Sequence, residues 1–268
     1  PEKDVTEVLN AIKVYENLES FRASDEKSFL NAHQIMMKGL IANPGKYRNK
    51  SVGIVKGLEV AHVAPPFENV PFLMKDLFTF LKKSDEITLI KSCVFHYEME
   101  FIHPFLDGNG RIGRLLITLF LVDQKILNKP LLYLSAFFEK NKSLYYDNLT
   151  FVRTKSDMTQ WLKYFLVGVA ETAEDATQTL SEILELKTKL EISITTTFGK
   201  RSKNALLLLN FLFKKPIVHV NQVKEVTNSS YKSANDLVSD FVNVGILKEM
   251  TGQNRNRIFG FDQYLKMF

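Results

Sequence analysis

Apolar residues recur every three to four positions through most of the chain up to about residue 200. In DVTEVLNAIKVYENLES they fall at Val5, Val8, Leu9, Ile12 and Tyr15, a spacing that lines one face of a helix. DEKSFLNAHQIMMKGLI repeats the pattern behind an N-cap at Ser24 or Asp25, and NPGKYRNK breaks it with proline and glycine. SVGIVKGLEVAHVAPP, residues 51–66, has no helical period. It is rich in valine and isoleucine, carries Gly53 and Gly57 and ends on two prolines, which predicts a β-hairpin. Helical spacing resumes in PFLMKDLFTFLKK and DEITLIKSCVFHYEMEFI, and predicts further helices over 114–127, 139–153, 156–172 and 176–197.

TTTFGKRSK, residues 195–203, reads as a linker. Beyond it, NALLLLNFLFKKP, HVNQVKEVT and SSYKSANDLVSDFVNVG predict three helices. ILKEMTGQNRNRIFGFDQYL supplies two apolar runs about a turn rich in glycine and asparagine. Three helices followed by a hairpin outline a winged helix-turn-helix. The expected organisation is mainly α, with a first domain over 1–196 and a second over 197–268.

Composition agrees with a globular chain: 268 residues, 45% apolar and 24% charged, enough for one large domain and a smaller one. A single cysteine, Cys93, excludes an internal disulfide and fits a reducing compartment; its apolar neighbours mark it as a buried small residue. The apolar runs at 115–122 and 205–213 are far shorter than the ~20 residues that span a bilayer, and PEKDVTEVLN is no signal peptide, so the expectation is a cytoplasmic protein with no membrane partner. Opening on proline without methionine, the chain is expected to start after the translated N-terminus. Charge is uneven. Residues 200–268 carry eleven Lys/Arg against five Asp/Glu, while the remainder is nearly neutral, which suggests different partners for the two parts.

The chemistry concentrates in HPFLDGNGRIGR, residues 103–114. Pro104 turns the chain at the end of a helical pattern. Gly108 and Gly110 permit positive φ and close approach of backbone N–H groups to a ligand, at the start of a helix that begins near Arg111. A glycine-rich entry to a helix N-terminus suits phosphate. Arg111 and Arg114, three apart, share a helix face and can add bidentate bonds to phosphate oxygens. Asp107 beside such a pocket calls for a cation between carboxylate and phosphate, for which Mg²⁺ is suited. His103, with an unperturbed pKa of ~6.5, can take a proton from an incoming hydroxyl. Together these residues point to transfer of a phosphorus-centred group from a nucleotide to a hydroxyl. The five histidines show no zinc-ligand spacing: His96 reads as a packing or hydrogen-bonded residue, and His33, His62 and His219 as surface or structural.

HPFLDGNGRIGR resembles the motif of the Fic family, HPFx(D/E)GNGRxxR, at every fixed position. The resemblance extends over about residues 30–195, through KYRNKSVGIVKG and the prolines before a helix, and the order of core then winged helix is that of a common bacterial subgroup. It implies a helical bundle with a small β-hairpin flap, and AMP transfer from ATP, with Mg²⁺, onto a Ser, Thr or Tyr hydroxyl of a protein. On that resemblance His103 is the general base and Asp107 the metal ligand. Gly108, Asn109 and Gly110 form the anion cradle, Arg111 and Arg114 hold the polyphosphate, and Phe105 packs under the loop. The 51–64 hairpin matches the flap, which registers a target segment by strand pairing. Val52, Gly53, Ile54 and Val55 would lie over the nucleotide. SLYYDNL, residues 143–149, matches the adenine-lining segment, with Tyr145, Tyr146 and Leu149 as candidates and Asn148 and Arg153 behind them.

The Doc-like branch has lysine where this chain has Gly110 and transfers the terminal phosphate, so Gly110 favours AMP transfer. The family's inhibitory pattern, (S/T)xxxE(G/N), has no match: Ile12 precedes Glu16-Asn17 and Ala64 precedes Glu68-Asn69 where Ser or Thr should stand. The subgroup carries that helix upstream of the core, so the expectation is a chain that starts past it, with Arg114 unoccupied and autoinhibition released. Three alternatives stay open: AMP removal, transfer of another nucleotide, and a nucleotide-sensing regulator that binds DNA. For the winged helix, DNA, protein contact and a homodimer all stay open. Arg255 and Arg257 suit phosphate in the wing, but the expected reading helix sets only Lys232 against Asp236 and Asp240.

Overall fold

Helix α1 (Glu2–Glu16) buries the face opposite to the one its apolar spacing suggests. In the computed structural model, which describes all residues except Pro1, Gly57, Leu58 and Asn254 and leaves the side chains of 54–61 outside the description, Val5, Val8, Leu9 and Ile12 are 47–59% exposed. Asn10 and Val14 are buried instead. The reason is polar. The Asn10 amide donates to the carbonyls of Lys38 (2.8 Å) and Met36 (3.2 Å), satisfying acceptors left open where α2 (Glu26–Met36) ends. Asp25 caps the other end of α2, accepting from the Ser28 amide at 2.9 Å.

The expected hairpin forms as β1 (Gly53–Lys56) and β2 (Glu59–Val63), antiparallel, with a bulge between Ile54 and Val55. Helices α3 (Val70–Lys83), α4 (Thr88–Ile102) and α5 (Asn109–Asp123) follow, then α6 (Leu134–Lys140), α7 (Lys142–Lys155) and α8 (Thr159–Thr197). Helix α5 has almost no polar side: Ile112, Gly113 and every residue from Leu115 to Leu121 are buried. A helix apolar all round belongs at the centre of a bundle, which is where LLITLFLV goes. One core gathers Phe29, Phe78, Phe95, Met99, Phe105 and Phe120; another gathers Phe138, Tyr145, Trp161 and Phe165. Trp161 is fully buried and its Nε1 donates to the Cys93 carbonyl at 3.1 Å. Burial pushes the Cys93 thiol far up, so it is no nucleophile. Trp161→Ala is expected to cost about 3–5 kcal/mol, read as a lower urea midpoint at unchanged slope.

The helices expected over 156–172 and 176–197 are one continuous helix, α8, because nothing between them breaks helical geometry. By contacts the chain divides into two compact units, Pro1–Glu174 and Asp175–Phe268. The segment 195–203 is not a loose connection: Ile194 and Phe198 are buried in the second unit's core with Leu186 and Leu190. That unit continues through α9 (Ser202–Leu212), β3 (Ile217–His219), α10 (Val220–Thr227), α11 (Tyr231–Asn243), β4 (Lys248–Glu249), β5 (Ile258–Gly260) and α12 (Asp262–Leu265). Its sheet runs β3-β5-β4, all antiparallel, with Phe259 opposite both Val218 and Glu249. Strand β3 escapes the sequence pattern since three residues cannot show alternation. Among the described residues no helix is long and apolar enough to cross a membrane.

Candidate active site

The glycine turn between α4 and α5 is held open by strained backbone and a closed set of internal bonds. His103 ends α4 in the left-handed region, φ 50° and ψ 61°, and Gly108 opens α5 at φ 84° with no side-chain cap on the helix. The uncapped first turn leaves backbone N–H groups and the positive end of the helix dipole facing the turn. Asn109, buried, brackets the loop from inside: its Oδ1 accepts from the Phe105 amide and its Nδ2 donates to the Phe105 carbonyl, both at 2.8 Å. His33 braces it from α2. Its Nδ1 accepts from the Gly45 amide (2.9 Å), which puts the proton on Nε2, and Nε2 donates to the Asp107 carbonyl (3.0 Å). The His33 ring stacks on Phe105 at 3.5 Å between centroids. Burial lowers the His33 pKa, so it is a neutral strut.

The charged residues divide into engaged and free. Arg111 Nη1 lies 3.0 Å from Glu7 of α1, an ion pair without hydrogen-bond alignment, and Nη2 lies 3.4 Å from Asp107 Oδ1. Asp107 Oδ1 also accepts from the Gly108 amide at 2.6 Å. Arg114 makes no ion pair among the described residues. A Cβ at Gly110 would stand 3.0 Å from Arg114 Nη1, so any larger residue there would press on the guanidinium. Below it, Glu100 is driven up to about 7 by burial, with the charge of Arg114 opposing, and its Oε1 has no hydrogen-bond partner. His96 donates to or accepts from the Tyr145 hydroxyl at 3.0 Å and is pushed down to about 3 by burial.

His103 itself is pushed down to about 4, first by burial; the Glu100 carbonyl opposes this, and the charges of His62 and Arg48 add to it. Its Nδ1 is sealed inside without a hydrogen bond, which leaves Nε2 as the nitrogen that could take a proton. The imidazole is therefore neutral at pH 7 and fit to accept a proton.

The other expected site residues are placed unequally. Val52 is half-buried, its carbonyl accepting from Ala64 across the root of the hairpin (3.2 Å), and Gly53 is exposed at the start of β1. Ile54 and Val55 continue β1, but their side chains lie outside the described residues. Tyr145 and Leu149 belong to the core around Trp161 rather than to an open surface, because α7 turns their face inward. Tyr146, 37% exposed and packed edge-on against Tyr145, is the ring of the three that reaches solvent. The sequence reading passes over His33, His62, Glu7 and Arg48 as site elements. For His62, whose ring bonds the Phe101 carbonyl at 2.8 Å, a histidine set in the apolar run VAHV was the available signal.

Residues 23–121 match the model of the Fic/DOC family. A protein of Aquifex aeolicus designated a probable protein adenylyltransferase is 30% identical over 138 residues, 47% of this chain and 42% of that protein, so the chain spans under half of that relative's length. The crystal structure of a Fic family protein from Desulfovibrio desulfuricans superposes with a TM-score of 0.64 at 27% identity, covering 97% of this chain and 76% of that one. A Fic domain containing signaling protein from Bacteroides thetaiotaomicron shares the fold at 20% identity and a TM-score of 0.54, over 66% of this chain and 72% of its own. The match to the Fic/DOC family model takes in the turn of residues 103–108, and the chain shares the fold of these Fic family structures.

Proposed function

We propose that this chain transfers AMP from ATP to a Ser, Thr or Tyr hydroxyl of a target protein. The observation that carries the reading is a neutral His103 with one ring nitrogen buried, beside an uncapped helix N-terminus flanked by Arg111 and Arg114. The target hydroxyl oxygen attacks the α-phosphorus, and the bond from that phosphorus to the bridging oxygen of the β-phosphate breaks. The hydroxyl proton passes to His103 Nε2, and pyrophosphate leaves with the bond's electron pair. The amides at the start of α5, with Arg111 and Arg114, hold charge on the phosphate oxygens. Asp107, 53% exposed, is one carboxylate of the kind that shares Mg²⁺ with polyphosphate oxygens, and Mg²⁺ would supply charge neutralisation there. Tyr146 is the ring we assign to adenine, with Tyr145 and Leu149 backing it. Val52 to Val55 and the edge of the hairpin would receive an extended target segment.

Labelling from α-labelled and γ-labelled ATP side by side tests the reading. Protein labelled only by the α-labelled nucleotide supports it. Label only from the γ-position would replace it with phosphate transfer, and release of AMP from a modified protein would replace it with the reverse reaction.

Arg111 must leave Glu7 to reach a phosphate. Because that pair is partly exposed, it is worth at most ~1 kcal/mol. Glu7→Gln is accordingly expected to tighten ATP binding by about twofold to fivefold in low salt, an effect that calorimetry would show fading as salt rises.

We read the second unit as a winged helix on the order α9-β3-α10-α11-β4-β5. Arg257 is occupied, bonding Asn235 at 3.0 Å and lying 5.2 Å over the Phe259 ring, and Asp240 of α11 pairs with Arg201. With those cations engaged, protein contact suits this unit better than DNA, and a steep loss of DNA binding with salt would reverse that assignment.

A further inference from the structure

We propose that Arg48 is a positioning residue for the transfer step: its buried guanidinium fastens both roots of the β1–β2 hairpin to the last turn of α4 and so fixes where His103 stands. This rests on the reading above that His103 is the base. Arg48 lies outside the 103–114 motif, yet only 3% of it is exposed. Its Nε donates to the His103 carbonyl (2.9 Å), Nη1 to the Lys50 carbonyl (2.9 Å), and Nη2 to the carbonyls of Ile102 (3.3 Å) and Pro65. Its own amide donates to the Pro104 carbonyl at 2.8 Å.

Every acceptor is backbone. A buried cation is costly unless its donors are used, and here they are used on three separate segments: the residues before β1, the residues after β2, and the end of α4. The end of a helix presents unpaired carbonyls and negative partial charge, which a guanidinium fork answers in two directions at once. His103 needs such a clamp because its left-handed backbone is strained. His62 adds a second tether from β2 to the Phe101 carbonyl. The phosphate turn is braced by a different set, His33, Asn109 and Phe105, whose side chains make no bond to Arg48. Geometry at the base and affinity for nucleotide should therefore separate. The charge of Arg48 also helps keep the His103 ring neutral.

The test uses the full chain with Arg48→Lys and Arg48→Gln. Arg48→Lys keeps the charge and loses the fork. It is expected to bind ATP within about threefold of wild type, while kcat for transfer falls about 30-fold or more at unchanged KM for ATP, as for a base displaced by about 1 Å. Arg48→Gln should in addition move the His103 titration upward, followed by the ring C2–H resonance. In the unaltered chain the Arg48 Nε–H should exchange slowly with solvent, a measurement that needs no variant to fold. A wild-type rate in Arg48→Lys would overturn the proposal, and so would equal losses of ATP affinity and rate, or a rapidly exchanging Nε–H. If the wild type binds ATP but transfers nothing, the reaction reading fails. The clamp is then judged on the Arg48 Nε–H exchange, which reads its bond to the His103 carbonyl directly, and rapid exchange would overturn it.

Discussion

His103→Ala is expected to lower transfer from α-labelled ATP by about a hundredfold to ten-thousandfold, the range a positioned general base contributes, with ATP affinity nearly unchanged. In the proposed mechanism the ring supplies the proton-accepting nitrogen, but the turn assigned to phosphate hangs on Asn109, His33 and Phe105, none of which needs the imidazole. Truncation thus removes chemistry and spares binding. Rate against pH carries a second signature. The base works deprotonated, and burial first of all places its pKa at about 4. The rate should hold from neutral pH down to ~5 and fall only as the ring protonates below that, whereas an ordinary histidine would lose half its rate near ~6.5. A midpoint near 6.5 would mean that the ring is solvated during turnover. A rate untouched by the substitution would remove His103 from the mechanism.

Gly108→Ala should damage binding instead. At φ 84° an L side chain is strained, at roughly 1–2 kcal/mol, and the added Cβ would stand 2.6 Å from the Met37 sulfur and 3.2 Å from His33 Nε2. Met37 is fully buried and cannot swing clear, so the turn itself must shift. A shift of about 1 Å at a phosphate cradle is worth ~10²-fold in rate, and here it would fall on the affinity for ATP. Calorimetry should show ATP binding weakened by roughly that factor while thermal unfolding drops by only a few degrees. Full affinity in a folded Gly108→Ala protein would mean that the amides of this turn do not hold the nucleotide.

The two substitutions mark how far the sequence could be read. His103, Asp107, the glycines and both arginines were legible because turn chemistry and charge are local: twelve consecutive residues carry them, and their spacing alone sets a helix start with two guanidinium groups on one face. The hairpin was legible for the same reason. Helix α1 was not. Its apolar period is correct for a helix, but Asn10 reaching carbonyls 26 and 28 residues away turns the helix over and leaves Val5, Val8, Leu9 and Ile12 outside. Tyr145 and Tyr146 are neighbours of one type in the sequence, and only packing against Trp161 and His96 sends one inward and leaves the other at the surface.

Periodicity and the conformational needs of glycine and proline were enough to place the glycine turn, the helical bundle around it and the strand pair beside it. The lowered pKa of His103, the pairing of Arg111 with Glu7 and the clamp at Arg48 come only with the folded chain. The first depends on burial, and the others draw on partners as far as 104 and 55 residues away, and burial and distance are properties that no local pattern contains.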